Sequence, residues 1–264
     1  MTTNTTSHDQ PNAQPSAIIL AAGKGTRMKS DLPKVCHPVG GRPMVCAVVD
    51  ACKAAGCERI VVVVGYKQEL VREALEGFGC EFAVQDEQLG TGHAVLCAEP
   101  LGNWTGDVFV LCGDGPLIRS QTLESMIARQ RESGAAATLA TSVIDDPTGY
   151  GRIVRDDNGN FARIVEQKNA TEDELAIREV NPSYYCVDGA GLFDALHRVE
   201  RNETTGEYYV TDVPSLLKAD GKRIEVLDSV APEDILSINS PEQLAEVDRI
   251  FRARQINPAR GARS

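Results

Sequence analysis

Aromatic side chains and histidines are scarce in this sequence, and no apolar run is long enough to cross a membrane. Phe, Trp and Tyr make up 5% of the 264 residues, and there are four histidines. Positive charge is also in deficit, since 27 lysines and arginines stand against 38 acidic residues, for a formal net charge of −11. A nucleic-acid partner requires a basic surface, so this balance argues against nucleic acid as the main ligand. It is compatible with a small anion held by a few local cations and a metal ion.

Metal-binding cysteine spacing is missing as well. The eight cysteines include no Cys-x-x-Cys pair, so a zinc site is poorly supported. Most of them lie within apolar runs, where a thiol behaves as a small core side chain. No secretory leader is recognisable in the polar N-terminal residues. We therefore expect the reducing cytoplasm as the location, with no membrane partner.

A glycine-rich loop follows the first apolar run. Residues 17–20 are typical of a buried parallel strand, and Gly23-Lys24-Gly25-Thr26-Arg27 comes soon after it. Gly23 and Gly25 allow the backbone to approach phosphates, and Arg27 and Lys34 supply positive charge. A dinucleotide-binding turn would need a glycine at Met28, and a P-loop would need a different spacing. The pattern predicts a polyphosphate site, with an ordinary glycine-rich surface turn as the alternative.

The remaining pattern alternates strands and helices and then changes to antiparallel strands. Strands are predicted at 59–64, 81–85, 107–112 and 136–142, and helices at 43–55, 67–76, 93–99 and 120–132. The antiparallel part has strands at 150–155, 161–166 and 179–187; helices at 189–199 and 241–254 and a strand at 224–228 follow. We predict an α/β fold with a Rossmann-like, mostly parallel but mixed sheet, flanking helices and a smaller antiparallel lobe.

Two further segments carry polar groups at the ends of predicted strands. Gln85 and the glycines that flank Thr91 offer an amide and main-chain groups, which suit the edge of uracil or thymine. An ordinary loop at a helix start is the alternative, and for His93 a structural or capping role is favoured over that of a base. Asp114 follows the strand at 107–112 and is a candidate metal ligand, with a turn cap as the alternative.

Taken together, these segments resemble the sugar-nucleotide pyrophosphorylases, above all the uridyltransferase domain of bifunctional N-acetylglucosamine-1-phosphate uridyltransferases. Six matching motifs occur in the same order from about residue 17 to 250. They are residues 20–28 (LAAGKGTRM), 32–34 (LPK), 85–94 (QDEQLGTGHA), 146–152 (DPTGYGR), 164–168 (IVEQK) and 206–212 (GEYYVTD). One glycine loop is weak evidence, whereas six ordered motifs are specific.

The resemblance implies a nucleotide-diphospho-sugar transferase fold and a role for each matching residue. Arg27 and Lys34 would be catalytic, and Mg²⁺ would be the cofactor, bound by Asp114 and Asn239. The nucleotide UTP would contact a longer set: Leu20, Ala21, Ala22, Gly23, Gly25, Gln85, Gly90 and Thr91. The sugar 1-phosphate would contact Gly151, Glu166 and Asn181. From the residues alone, Glu166 and Asn181 fit solvent-facing strand positions equally well, and Asn239 fits a turn before Pro241.

The implied domain organisation divides the chain into three parts. Residues 1–16 would form a disordered tail, residues 17–254 the nucleotidyltransferase domain, and residues 255–264 a flexible tail. Within the domain, 17–145 would bind the nucleotide, 146–230 mainly the sugar, and 231–254 would carry a metal-ligand loop and a closing helix. The hexapeptide repeats of the bifunctional relatives are absent from this sequence. We therefore expect no acetyltransferase activity and at most a weak homo-oligomer.

Several positions depart from the family pattern. Pro182-Ser183 replaces the usual Thr-Gly, Cys112 replaces an aromatic residue, and Gly115 replaces an apolar one. Gln167 and Asn169 also replace the usual His and Asp. These departures leave the nucleotide motifs intact and put the identity of the sugar in question. The expected function is UDP-N-acetylglucosamine synthesis; the alternatives are another hexose 1-phosphate with UTP or dTTP, or a catalytically silent domain that binds sugar nucleotides for regulation.

Overall fold

In the computed structural model, which describes residues 14–256, a mixed sheet forms the centre of the molecule. The strands are β1 (Ser16–Ala21), β2 (Pro38–Val39), β3 (Arg42–Pro43), β4 (Arg59–Val64), β5 (Glu81–Val84), β6 (Asp107–Cys112), β7 (Ala137–Val143), β8 (Gly151–Arg155), β9 (Phe161–Val165), β10 (Glu179–Asp188) and β11 (Ile224–Leu227). The α-helices are α1 (Met44–Ala54), α2 (Gln68–Ala74), α3 (Thr91–Leu96), α4 (Ser120–Ser133), α5 (Glu172–Leu175), α6 (Gly189–Leu196), α7 (Val213–Ala219) and α8 (Pro241–Ile256).

Strand order in the main sheet is β11-β7-β10-β6-β1-β4-β5, with β8 attached to β10 and β9 attached to β8. The neighbours of β1 on both sides, β4 and β6, run parallel to it, and β5 runs parallel to β4. The predicted mostly parallel but mixed sheet is confirmed. The first strand begins at Ser16, one residue before the predicted start, and the last helix continues to Ile256.

The position of β10 differs from the expected one. We predict residues 179–187 as part of the antiparallel lobe, yet β10 lies between β6 and β7 in the main sheet and is antiparallel to both. Only its first residues pair with β8, where Asn181 lies opposite Gly151. A strand of ten residues is long enough to pair with two sets of neighbours, and the sequence pattern does not specify those neighbours. The antiparallel hairpin β8–β9 is therefore an extension of the main sheet.

Apolar side chains pack on both faces of this sheet. Alternation along β1 sends Ile19 into one cluster, with α1 and α4, and Ile18 into the other, with α3 and α6. All eight cysteines are free thiols, and five of them are buried. Within residues 14–256, no helix combines the length and the apolar character that crossing a bilayer requires. Of the predicted tails at 1–16 and 255–264, residues 1–13 and 257–264 lie outside the described residues, whereas residue 16 begins β1 and residues 255–256 belong to α8.

The parallel strands bring several predicted site segments to one edge. The amide of Gly113, after β6, donates to the carbonyl of Leu20 in β1 at 2.9 Å. The amide of Tyr66, after β4, donates to the carbonyl of Ala22 at 3.0 Å. The amide of Gln85, after β5, donates to the carbonyl of Val64 at 2.8 Å. The carboxyl ends of β1, β4, β5 and β6 therefore converge, as ligand sites of open α/β sheets require.

Candidate functional site

The loop after β1 has two glycines with different surroundings. Gly25 has a φ of 69°, and a Cβ at this residue would lie 2.6 Å from the Cβ of Lys34. A side chain is thus excluded there by the protein itself. At Gly23, by contrast, a Cβ would meet no heavy atom within 4 Å. The fold leaves the space over Gly23 open, as a backbone that approaches a ligand requires.

Hydrogen bonds to main-chain carbonyls hold the segment that precedes this loop, residues 20–22. Ala21 and Ala22 are buried, and the carbonyl of Ala22 also accepts a hydrogen bond from Nε2 of Gln88 at 2.6 Å. Leu20 is half-buried, and its carbonyl accepts the amide of Gly113. These contacts fix the end of β1, from which the glycine loop extends.

Four predicted catalytic and metal-site residues meet next to the loop. Oδ1 of Asn239 accepts hydrogen bonds from Nζ of Lys34 at 2.6 Å and from Nη2 of Arg27 at 2.8 Å. Lys34 also forms an ion pair with Asp114. The amide of Ile238 donates to the carbonyl of Asp114 at 3.1 Å, which joins the segment before α8 directly to the segment after β6. Residues more than 200 positions apart in the chain therefore form one charged cluster.

The oxygens of this cluster suit a hard divalent cation. One ammonium group, that of Lys34, contacts both the carboxylate of Asp114 and the amide oxygen of Asn239. The two oxygens are thus close enough to act on a single cation, and oxygen ligands are those that Mg²⁺ prefers. Among the described residues there is no group of three or more His, Cys, Asp or Glu side chains placed to hold a metal. A site with two protein oxygens is typical of Mg²⁺ that shares its coordination with substrate phosphates.

Two tyrosines, Tyr184 (buried) and Tyr150 (half-buried), hold the segment that carries Asn239. The hydroxyl of Tyr184 donates to the carbonyl of Asp234 at 3.1 Å. The hydroxyl of Tyr150 donates to the carbonyl of Ile235 at 3.3 Å and accepts from the amide of Ser237 at the same distance. Burial raises the pKa of both tyrosines, so both remain protonated donors. They fix the backbone that places Asn239 opposite Lys34.

The predicted base-recognition loop packs against the segment at 206–210. Gly90 has a φ of 103°, and a Cβ on it would lie 2.5 Å from the carbonyl oxygen of Tyr208. The hydroxyl of Thr91 accepts a hydrogen bond from the amide of Val210 at 3.1 Å. Nε2 of Gln85 lies 3.0 Å from the carbonyl of Gly90. The structure thus brings Gln85, Gly90 and Thr91 together, and it uses the Thr91 hydroxyl to hold the loop.

The predicted sugar-binding residues are brought together by the pairing of β8 with β9 and with β10. Gly151 is buried, and a Cβ on it would lie 3.6 Å from the Cβ of Asn181. Nδ2 of Asn181 donates to the hydroxyl of Tyr185 at 2.7 Å. Burial raises the pKa of Glu166, although a hydrogen bond with Thr211 opposes this shift. The three predicted residues lie on three neighbouring segments, β8, β10 and the end of β9.

Comparison with known proteins decides the family of this fold and site. The family model described as the MobA-like NTP transferase domain matches residues 17–205, which is well over half of the chain. The chain belongs to the MobA-like NTP transferase family.

Relatives within the MobA-like NTP transferase family include longer proteins. The chain is 49% identical over 239 residues to the bifunctional protein GlmU of Geobacillus thermodenitrificans. It is 49% identical over 240 residues to the bifunctional protein GlmU of Pelotomaculum thermopropionicum. Each match covers 90% of this chain and 52% of the relative, so the chain spans about half the length of these relatives.

A solved structure shares the fold of this MobA-like NTP transferase. The crystal structure of UDP-glucose pyrophosphorylase complexed with UDP-glucose superposes with a TM-score of 0.74 at 20% sequence identity. The superposition covers 92% of this chain and all of that chain. At this identity the likeness concerns the fold, and it agrees with the predicted nucleotide-diphospho-sugar transferase architecture.

Two departures of this MobA-like NTP transferase from the sugar-nucleotide pyrophosphorylase pattern are explained by packing. A Cβ at Gly115 would lie 2.7 Å from the hydroxyl of Tyr184. The absence of a side chain at residue 115 therefore provides the space for the tyrosine that holds the Asn239 segment. Ser183 has a φ of 63°, where the family pattern has glycine, and the register of β10 against β7 shifts between Val180 and Tyr184. Ser183 therefore holds a left-handed backbone position that serine adopts less readily than glycine.

The third departure, Cys112, connects the two sides of the site. Burial raises the pKa of its thiol to about 12, with a further contribution from Asp114, while a hydrogen bond with Ser183 opposes this. The thiol is therefore a neutral packing group next to the charged cluster. Gln167 accepts hydrogen bonds from the amide of Gly149 at 2.5 Å and from Arg152 at 3.3 Å. Nothing in the structure explains the change at Asn169.

Sequence reasoning identified the charged residues of this site and missed the groups that position them. Tyr150 lies in a recognised motif, but its hydroxyl partners are main-chain atoms of residues 235 and 237, which no sequence pattern reveals. No sequence pattern identifies Tyr184 either, because its hydroxyl partner is a main-chain atom of residue 234. His93 is predicted as a structural residue, and its ring nitrogen Nδ1 contacts the amide of Gln85 at 3.1 Å. The signal for these contacts exists only in the folded chain.

Proposed function

We propose that this chain is a nucleotidyltransferase that joins UTP to N-acetylglucosamine 1-phosphate and releases UDP-N-acetylglucosamine and pyrophosphate. The observation that carries the proposal is the cluster of Arg27, Lys34, Asp114 and Asn239 beside an open glycine loop. The six ordered motifs and the 49% identity to bifunctional GlmU proteins support the same conclusion. The match covers 52% of each GlmU protein, and the proposed reaction is that of the matching part alone.

The chemistry proposed for this site needs no general base. A phosphate oxygen of the sugar 1-phosphate attacks the α-phosphorus of UTP, and the bond from that phosphorus to the β-phosphate oxygen breaks. The attacking oxygen is already anionic, so positioning and positive charge supply the rate acceleration. Arg27 would hold the departing pyrophosphate, and Lys34 would neutralise charge around the reacting phosphates. Mg²⁺ held by Asp114 and Asn239 would add divalent charge between the two anionic reactants.

The remaining residues would hold the two substrates in place. The nucleotide phosphates would lie along the main chain of residues 20–25, above the open position at Gly23. The uracil base would contact Gln85, Gly90 and Thr91. The sugar would contact Gly151 on β8, Asn181 on β10 and Glu166 at the end of β9.

A second substrate class is favoured by one observation. Two positions that depart from the family pattern lie close to Asn181: the amide of Ser183 donates to Oδ1 of Asn181 at 3.1 Å, and Gly115 packs against the hydroxyl of Tyr184. Another hexose 1-phosphate, used with UTP or dTTP, is therefore the second candidate. A silent regulatory domain is disfavoured, because such a domain would have no need for the charged cluster.

A substrate panel tests the proposal. Pyrophosphate release is measured with Mg²⁺ for UTP, dTTP, CTP and ATP against several hexose 1-phosphates. UTP with N-acetylglucosamine 1-phosphate should be among the best pairs, and its absence from them would overturn the specific assignment. Asp114→Asn should abolish turnover and its Mg²⁺ dependence while the far-ultraviolet circular dichroism stays unchanged. The control is Asp220→Asn, which alters an exposed carboxylate paired with Arg198 and should leave turnover unaffected.

A further inference from the structure

The side-chain amide of Gln85 has a defined orientation. Its Nε2 lies 3.0 Å from the carbonyl oxygen of Gly90 and 3.1 Å from Nδ1 of His93. A main-chain carbonyl can only accept a hydrogen bond, so the atom that faces Gly90 has to be the amide nitrogen. The contact with the Gly90 carbonyl therefore assigns which end of the Gln85 amide is Nε2 and which is Oε1.

The same contact determines the tautomer of His93. Nε2 of Gln85 can only donate, so Nδ1 of His93 accepts, which leaves the ring proton on Nε2 of His93. The two hydrogens of the amide nitrogen are then both engaged, one by Gly90 and one by His93. Within residues 14–256 no hydrogen bond to Oε1 of Gln85 is present. The amide offers a ligand only its carbonyl oxygen.

Gln85 is one of the residues that line a cleft at the carboxyl ends of β4 and β5. The residue is 4% exposed, and the cleft has a volume of about 250 Å³. Gly65, Tyr66, Asp86 and Gln88 also line it. Because the side chain is so buried, its rotation would break both contacts without replacement by water.

We propose that His93 is a positioning residue that holds the Gln85 amide so that its oxygen selects a base with an N–H at ring position 3. Uracil and thymine carry that hydrogen, whereas cytosine has a bare nitrogen there, which would place two acceptors against each other. This inference rests on the proposed function, since it assumes that the nucleotide base binds beside Gln85. It adds the residue that makes the glutamine selective.

Two variants of His93 separate hydrogen bonding from shape. Asparagine and leucine branch identically at Cγ, and Oδ1 of asparagine replaces Nδ1 of histidine as an acceptor. The dissociation constants of UTP and CTP are measured by calorimetry with Mg²⁺ and without sugar phosphate, for the unaltered chain, His93→Asn and His93→Leu. The ratio of the two constants is the readout, because general structural damage weakens both nucleotides alike. We expect His93→Leu to lower the preference for UTP roughly threefold to tenfold, and His93→Asn to retain it.

The outcomes distinguish the inference from the proposed function. An unaltered chain with no preference for UTP over CTP would overturn both. A preference that is equal in the unaltered chain and in His93→Leu, or lost equally in both variants, would overturn the role of His93 alone. Nitrogen-15 NMR of the unaltered chain tests the tautomer independently of how the variants fold. A proton on Nε2 of His93 supports the inference, and a proton on Nδ1 contradicts it.

Discussion

Glu166 is a half-buried carboxylate whose surroundings oppose its ionisation. Burial raises its pKa, and the neighbouring carboxylates of Asp212 and Glu207 raise it further. The folded chain therefore binds a proton at Glu166 more readily than the unfolded chain, whose glutamates keep a pKa near 4.5. As the pH rises above this value, the folded state loses stability relative to the unfolded state, because the ionised form is disfavoured by burial. A residue retained at such a cost is expected to serve a ligand.

Replacing Glu166 by glutamine separates the effect of its charge on stability from the effect of its charge on sugar 1-phosphate binding. Glu166→Gln should increase the free energy of unfolding relative to the parent at pH 7, and this gain should shrink as the pH falls toward 4. The same variant should raise the KM for the sugar 1-phosphate by at least about tenfold, because a charge-assisted hydrogen bond is lost. Urea denaturation at several pH values and steady-state kinetics measure the two effects. Glu172→Gln, an exposed glutamate on α5, is the control; a pH-independent difference in Glu166→Gln would contradict the argument.

At the same scale, the sequence predicted the charged members of the site and not their supports. Arg27, Lys34 and Asp114 follow a strand or a glycine loop, so their chemistry is visible in the local pattern. Asn239 was identified by resemblance alone, since a polar residue before a proline has an ordinary role in turns. Tyr150 and Tyr184 hold its backbone through hydroxyls, and such contacts depend on the packing of distant segments.

At the scale of elements, two motifs far apart in the sequence form one structural unit. The amide of Gly92 donates to the carbonyl of Tyr208, and the amide of Tyr208 donates to the carbonyl of Leu89, both at 2.8 Å. The hydroxyl of Thr91 adds the contact to the amide of Val210. The loop before α3 is thus held in place by the segment before α7. The resemblance identified both motifs, but their contact is a result of the fold.

The hydroxyl of Thr91 provides a test of this unit. Thr91→Val keeps the shape of the side chain and leaves the amide of the buried residue Val210 without its acceptor. We expect a loss of about 1–3 kcal/mol in the free energy of unfolding and faster hydrogen exchange of the Val210 amide. Thr91→Ser retains the hydroxyl and should stay within about 0.5 kcal/mol of the parent. Equal stability of the valine and serine variants would show that the contact contributes nothing to the unit.

Elements with a clear periodicity were predicted well, and those without one were missed. The strands at 59–64 and 107–112 have the predicted bounds, because a continuous apolar run between polar ends defines both limits. Between residues 200 and 223 the sequence predicts no element, yet α7 lies there. A helix of seven residues is too short to display a reliable period, and packing against neighbours stabilises it. The partners of β10 are not predictable from the sequence for a different reason, because strand pairing depends on segments that are far apart in the chain.

At the scale of the whole molecule, the hairpin β8–β9 has no apolar core of its own. Ile153, Phe161 and Ile164 belong to the same buried cluster as Leu139 and Val187 of the main sheet. The hairpin is also joined to that sheet through β10. A segment whose apolar side chains are buried by the main sheet should lose its structure when that sheet does.

We therefore expect the whole described fold to unfold as one cooperative unit. Trp104, the single tryptophan of the sequence, is buried next to β6 and reports on the first half of the chain, while hydrogen exchange of residues 151–165 reports on the hairpin. The two urea transitions should coincide. Ile164→Ala should lower the free energy of unfolding measured by each probe by about 2–4 kcal/mol. Leu175→Ala, at an exposed position, should change neither free energy appreciably. If Ile164→Ala accelerated exchange in the hairpin and left the Trp104 transition unchanged, the hairpin would be an independent unit, and the expectation of a single cooperative transition would be wrong.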